Sequence, residues 1–174
     1  MSSPLEDMRL NLSSLLESCQ RSAWYLLASS DRMRWPVTEK DLAEREMDLE
    51  FYERLAAINE RFGKLQDLLG TSMRNLCLLA GENADTFLRV LSFCAKVGII
   101  ESVEDWQLCR SLRNRAAHDY GSDLSITAEH FNTLNQWIPK LVSVTIRLTD
   151  YADVHLSVRA KDGAFLKALQ ALRE

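Results

Sequence analysis

The reading of TEKDLAEREMDLEFYERLAAINERFGKLQDLLGTSMRNLCLL, residues 38–79, decides the fold. Within it Leu49, Tyr52, Leu55, Ile58, Phe62, Leu65, Leu69, Met73, Leu76 and Leu79 follow one another at steps of three or four. At 3.6 residues per turn that spacing keeps all of them on one helical face, whereas a strand would alternate in and out at every residue. A stripe this long predicts a long helix with its apolar face in a core. Thr38 followed by Asp41 has the form of an N-terminal cap, in which the threonine oxygen accepts an otherwise unpaired amide. Glycines cost helix stability, so the expected breakpoints are the end of the acidic opening segment and Gly70, with Gly63 a further weak position.

The same periodicity extends outward in both directions. Residues 5–29 place Leu12, Leu15, Leu16, Cys19, Ala23, Leu26 and Leu27 on one face, and residues 30–37, with Pro36, read as a loop. A helix over residues 85–96 stops at Gly98, and Ser102 caps another that reaches His118 or Tyr120 and ends at Gly121. Thr127 reads as the cap of a fifth, carrying Phe131, Leu134, Trp137, Leu141, Val144 and Leu148, with Pro139 bending it rather than ending it. Residues 163–172 form a short further helix. With three prolines, six glycines and no hairpin signal, the expectation is an all-α fold: an up-and-down helical bundle of about five helices. The 174 residues fit one domain over residues 1–174, whose N-terminal helical region, 1–54, has no assigned role.

Composition narrows the function classes. Hydrophobic residues make up 47% and charged residues 26%, ordinary for a globular chain, and no apolar run approaches a membrane span. Met1 to Leu10 carry no signal-peptide pattern, so a cytoplasmic location is expected. Cys19, Cys77, Cys94 and Cys109 are scattered without a Cys-x-x-Cys pair or a nearby histidine, which suits buried thiols and predicts neither metal nor cofactor. The net charge of −4 argues against binding duplex DNA, which needs a basic face. It leaves room for a local RNA site, because residues 110–115 hold three arginines while residues 39–53 are strongly acidic.

Chemistry concentrates in residues 112–121, LRNRAAHDYG, where polar groups crowd a segment without large apolar anchors. Asn114 and His118, four apart, share a helical face, and Arg113, Ala117 and Tyr120 share the adjacent one. Ala116 and Ala117 are small enough to let another helix or an RNA backbone approach. Histidine titrates near neutrality and can move the proton of a 2′-hydroxyl. Arginine stays charged and grips phosphate oxygens with a planar fork. Asn114 is placed to orient the imidazole. The plain alternative is that such side chains at a helix C-terminus merely complement its dipole.

Arg113-Asn-Arg-Ala-Ala-His118-Asp-Tyr120 resembles the Arg-x4-His-x-Tyr motif of the HEPN superfamily, in particular its HepT-like toxins. The recognisable part runs over residues 61–148, and the stretch 1–54 exceeds what compact members need. The resemblance implies a metal-independent endoribonuclease toxin of a type VII-like HEPN/MNT toxin–antitoxin system. Arg113 and His118 would be catalytic and Asn114 supporting, in a cleft composed by a homodimer, with no cofactor. It further implies a nucleotidyltransferase (MNT) antitoxin as partner, which AMPylates Tyr120. The rival expectation is a non-catalytic HEPN partner or substrate-binding subunit of such a nucleotidyltransferase.

Outside the motif the sequence is less pointed. His130 and His155 read as non-catalytic, the first in the opening turn of the fifth helix and the second in a loop. Trp24, Trp35, Trp106 and Trp137 are dispersed, which favours packing over base stacking. Arg61 and Lys64 are spaced to line a phosphate path, against the plainer use of salt bridges to Glu60 or Asp67.

Overall fold

The computed structural model describes residues 3–116 and 123–172, and all regular secondary structure among them is helical. The seven helices among these residues are α1 (Pro4–Ser30), α2 (Glu39–Glu44), α3 (Leu49–Leu79), α4 (Phe87–Lys96), α5 (Val103–Ala116), α6 (Leu124–Leu156) and α7 (Ala164–Ala171). None among the described residues is long and apolar enough to cross a membrane.

Local chemistry sets the boundaries. Thr38 and Asp41 form a reciprocal capping box at the start of α2. Asp48 then accepts the amide of Phe51 at 3.1 Å and opens α3, so two successive caps divide the stretch the periodicity reads as continuous. The division also shifts the start of the buried stripe: Leu49 is 71% exposed and Phe51 enters the core in its place. From Leu55 to Leu76 the stripe is buried as its spacing predicts, and α3 runs unbroken through both Gly63 and Gly70. Gly98, at φ +77°, closes α4 in the left-handed conformation that glycine adopts without a Cβ penalty, and the Ile99 amide donates back to the Cys94 carbonyl at 2.8 Å. The cap of α6 is Asp123, whose carboxylate accepts the Ser125 and Ile126 amides. Thr127 lies one turn inside and donates to the Asp123 carbonyl at 3.1 Å, so the aspartate takes the role read for the threonine. The helix continues through Pro139.

Side-chain pairs fix the directions of the long helices. Down α1, Arg9 donates to the Leu156 carbonyl, Gln20 to the Thr149 hydroxyl and Ser30 to Asn135, so α6 runs antiparallel to α1. Cys19 meets Ser72 at 3.3 Å and Ser29 meets Arg61, which makes α3 antiparallel to α1 as well. Trp106 lies over Gly70 and Arg113 over Gly63, which reverses α5 against α3. The order α1, α3, α5, α6 is therefore up, down, up, down, with α2, α4 and α7 as short additions. The central element is α6, which touches α1, α2, α3, α5 and α7. Its Leu141, Val142, Val144, Ile146 and Leu148 are all buried, and the hydroxyls of Thr145 and Thr149 donate to carbonyls one turn back.

Phe62 is among the largest fully buried side chains and sits at the middle of the α3 stripe. Phe62→Ala is expected to cost about 3–5 kcal/mol of stability, through forfeited transfer energy and the cavity left behind, read from urea unfolding monitored by helical circular dichroism.

Candidate functional site

The motif region is carried by α5. Ser102 opens this helix by accepting the Asp105 amide at 3.0 Å, and Trp106, Cys109 and Leu112 anchor its inner face in the core. That leaves Arg110 and Arg113 toward the outer surface of α3. Here the two glycines acquire a reason. A Cβ at Gly63 would stand 3.5 Å from Cγ of Arg113, and one at Gly70 would stand 3.4 Å from the Phe87 ring. The α3 surface is thus low where the arginine stem and the two aromatic rings, Phe87 and Trp106, cross it.

Arg113 reaches across to Asp67, donating to its carboxylate at 2.7 Å. The side chains are 42% and 55% exposed, so water screens the pair. On one side of this bridge is a cleft of about 490 Å³ over Asn59, Gly63, Lys64 and Thr71, with Leu15 of α1 as its far wall. On the other side is one of about 340 Å³, lined by Arg74, Arg110, Phe87 and Trp106 together with Gln66. Both are in the range of small-ligand sites. Gln66 is buried, and neither its amide nitrogen nor its amide oxygen has a partner among the described residues. Arg113 stands between the two clefts, and its fork can face either.

Arg113 is the one member of the predicted quartet whose side chain belongs to the described residues. His118 and Tyr120 lie outside them, as do the Asn114 side chain and the helix end expected at Gly121. The last described turn of α5 carries Arg113 and ends at Ala116, two residues before His118.

The remaining candidates fall into place individually. His130 meets Asn59 at 3.1 Å through Nε2. His155 is not in a loop but in the last turn of α6, its ring 4.3 Å from that of Tyr151. Trp106 belongs to the core and Trp24, Trp35 and Trp137 pack against it. All four cysteines are buried, and burial pushes Cys19 and Cys109 up to about 12, which keeps those thiols protonated. Arg61 bonds to Ser29 and stacks over Tyr25 instead of pairing with Glu60, and Lys64 makes no ion pair among the described residues. Asp67 is spent on Arg113, a partner 46 positions away that no local spacing announces. Gln66 had a visible signal: it lies four residues after Phe62 and three before Leu69, a polar residue on the apolar stripe.

Because the Arg113–Asp67 pair is half in water, Asp67→Asn is expected to change stability by less than about 1 kcal/mol, measured by thermal or urea unfolding. A larger loss would mean that Arg113 is held as a structural cation.

No protein-family model, curated protein or solved structure matches this chain.

Proposed function

We propose that the chain is a metal-independent endoribonuclease of the HEPN type, with Arg113 and His118 in a cleft completed by a second copy. The observation that carries this reading is the position of Arg113: a forked cation between two clefts, held by a half-exposed carboxylate. A screened pair of that kind contributes about 0–1 kcal/mol, so a phosphate can displace Asp67 at little cost. Guanidinium then grips two phosphate oxygens, which is the stabilisation that an in-line attack on phosphorus needs.

The reaction is balanced without a metal. His118 accepts the proton of the 2′-hydroxyl, the 2′-oxygen bonds to phosphorus, and the bond to the 5′-oxygen breaks. The His118 of the second copy, protonated, returns a proton to that leaving oxygen. The products are a 2′,3′-cyclic phosphate and a 5′-hydroxyl. Arg113 neutralises the charge that builds on the phosphorane.

In this reading the partner is an MNT nucleotidyltransferase that transfers AMP to Tyr120. The added phosphate would stand two residues from His118 and repel the RNA backbone. A second reading is favoured by one observation, the occupation of Arg113 by Asp67: a non-catalytic subunit that binds the nucleotidyltransferase.

Two experiments separate these. Arg113→Ala and His118→Ala are each expected to abolish cleavage of single-stranded RNA, by roughly 100-fold or more, with an unchanged helical spectrum and dimer mass by light scattering. Wild-type cleavage should persist in EDTA and leave cyclic-phosphate ends; no cleavage by the wild-type dimer would leave the binding subunit as the reading. Incubation with the nucleotidyltransferase and ATP is expected to add adenylyl mass to the peptide carrying Tyr120 and to silence cleavage. Tyr120→Phe should stay active under the same treatment, and its silencing would remove the covalent switch.

A further inference from the structure

The clefts beside Arg113 continue past α3 onto α1. Lys64 lines the Arg113 cleft and also two hollows on the α1 side. One of these is formed with Arg21, Ser22 and Lys161, the other with Ser22, Tyr25 and Arg61. The outer face of α3 is thus the floor of one channel with α1 as one wall and α5 as the other. From Arg61 to Arg74 this floor is roughly 20 Å long at about 1.5 Å per residue.

The channel is basic although the chain is acidic overall, at −4. Arg21, Arg61, Lys64 and Lys161 line its α1 half, and Arg74, Arg110 and Arg113 its α5 half. Among the described residues the carboxylates along it are Glu17, Glu60 and Asp67, of which Glu17 is already paired with Arg21 at 3.0 Å and Asp67 with Arg113. Lys64 and Lys161 are exposed and make no ion pair among the described residues. At the end remote from Arg113 the cations are interleaved with aromatic rings. Tyr25 is 45% exposed and packs edge-on against Trp24, with Phe165 of α7 beside it. Arg61 lies over the Tyr25 ring at 5.8 Å and Arg21 over Phe165 at 5.3 Å.

A track of exposed lysines leading to a supported, exposed ring fits a polyanion with free π-faces, since base stacking on aromatics and phosphate contact with cations are the two forces that hold single strands. A duplex keeps its bases stacked on one another and gives Tyr25 nothing to do. We infer that this channel binds the phosphate backbone of single-stranded RNA across α3, with a base stacked on Tyr25 at the end away from Arg113. The choice of RNA rests on the ribonuclease reading; the channel itself does not.

The test uses the full chain and a short unstructured 2′-O-methyl oligoribonucleotide, which lacks the attacking hydroxyl, so that binding is read apart from cleavage by fluorescence anisotropy. Lys64→Glu with Lys161→Glu, both on exposed side chains, is expected to weaken binding at least tenfold. It should also flatten the log–log salt slope by roughly 1.4, about 0.7 for each phosphate that a lysine no longer neutralises. Tyr25→Ala should weaken binding roughly tenfold with the slope unchanged. An unchanged affinity in the lysine variant overturns the inference. So does displacement of the oligonucleotide by polyglutamate as readily as by RNA, which would assign the surface to an acidic protein segment. Cleavage of the all-ribo oligonucleotide, followed in parallel, keeps the two readings apart. Binding abolished by charge reversal, with no cleavage by the wild type, removes the nuclease and leaves the channel. Cleavage that needs Arg113, with binding indifferent to the lysines, removes the channel and leaves the nuclease.

Discussion

Helix α3 must satisfy opposite demands on its two faces over 31 residues, and most of the molecule is arranged around that requirement. Its inner face, from Leu55 to Leu76, is fully withdrawn from water only because α1 and α6 close over it. An isolated helix gains little from its own hydrogen bonds, and its stability comes from burying such a stripe. Covering the stripe with α1, antiparallel to it, and α6, parallel to it, leaves the outer face of α3 bare, and the flanking helices then stand as ridges beside it. The cleft is a by-product of how the core is closed.

The same geometry explains why the cations are where they are. A cation needs water or a partner, and the inner faces offer neither. Arg61 and Lys64 therefore emerge on the outer face of α3, while Arg113 folds down onto it over Gly63. The acidic residues are concentrated elsewhere, in α2 and the opening turn of α3, which separates charge along the molecule without changing its total. Trp106, Cys109 and Leu112 hold the inner side of α5, so the arginines on its other side are positioned by core packing as well as by their own contacts.

Much of the fold is legible in sequence because it depends on periodicity. Leu12, Leu16, Cys19, Ala23 and Leu26 of the first stripe and the stripe from Leu55 to Leu76 are buried as spacing requires, while Leu15 is left at the edge of a cleft, and Thr38, Ser102 and Gly98 mark helix ends through local hydrogen bonds. What escaped depends on competition or distance. Asp48 overrides a continuous apolar pattern because a cap needs one side chain, whereas the pattern needs many. Asp123 displaces Thr127 as a cap for the same reason. The Asp67–Arg113 bridge joins positions on two helices and leaves no trace in either segment. For the candidate site, the residue types of the motif are readable, yet the clefts that give Arg113 its setting arise from α1, α3 and α5 together.

An unbroken α3 that passes under both ends of the channel has a further consequence. Along a single helix, each residue inserted or removed shifts everything beyond it by about 1.5 Å and turns it by about 100°. A one-residue change between Lys64 and Asp67 would therefore carry one end of the channel round toward the core and drag a buried Leu into solvent. The separation between Tyr25 and Arg113 behaves as the marking on a rigid gauge, adjustable only in steps of whole helical repeats. Loops tolerate drift in length, but a floor made of one helix does not, and so the distance between the two ends is inherited with the fold.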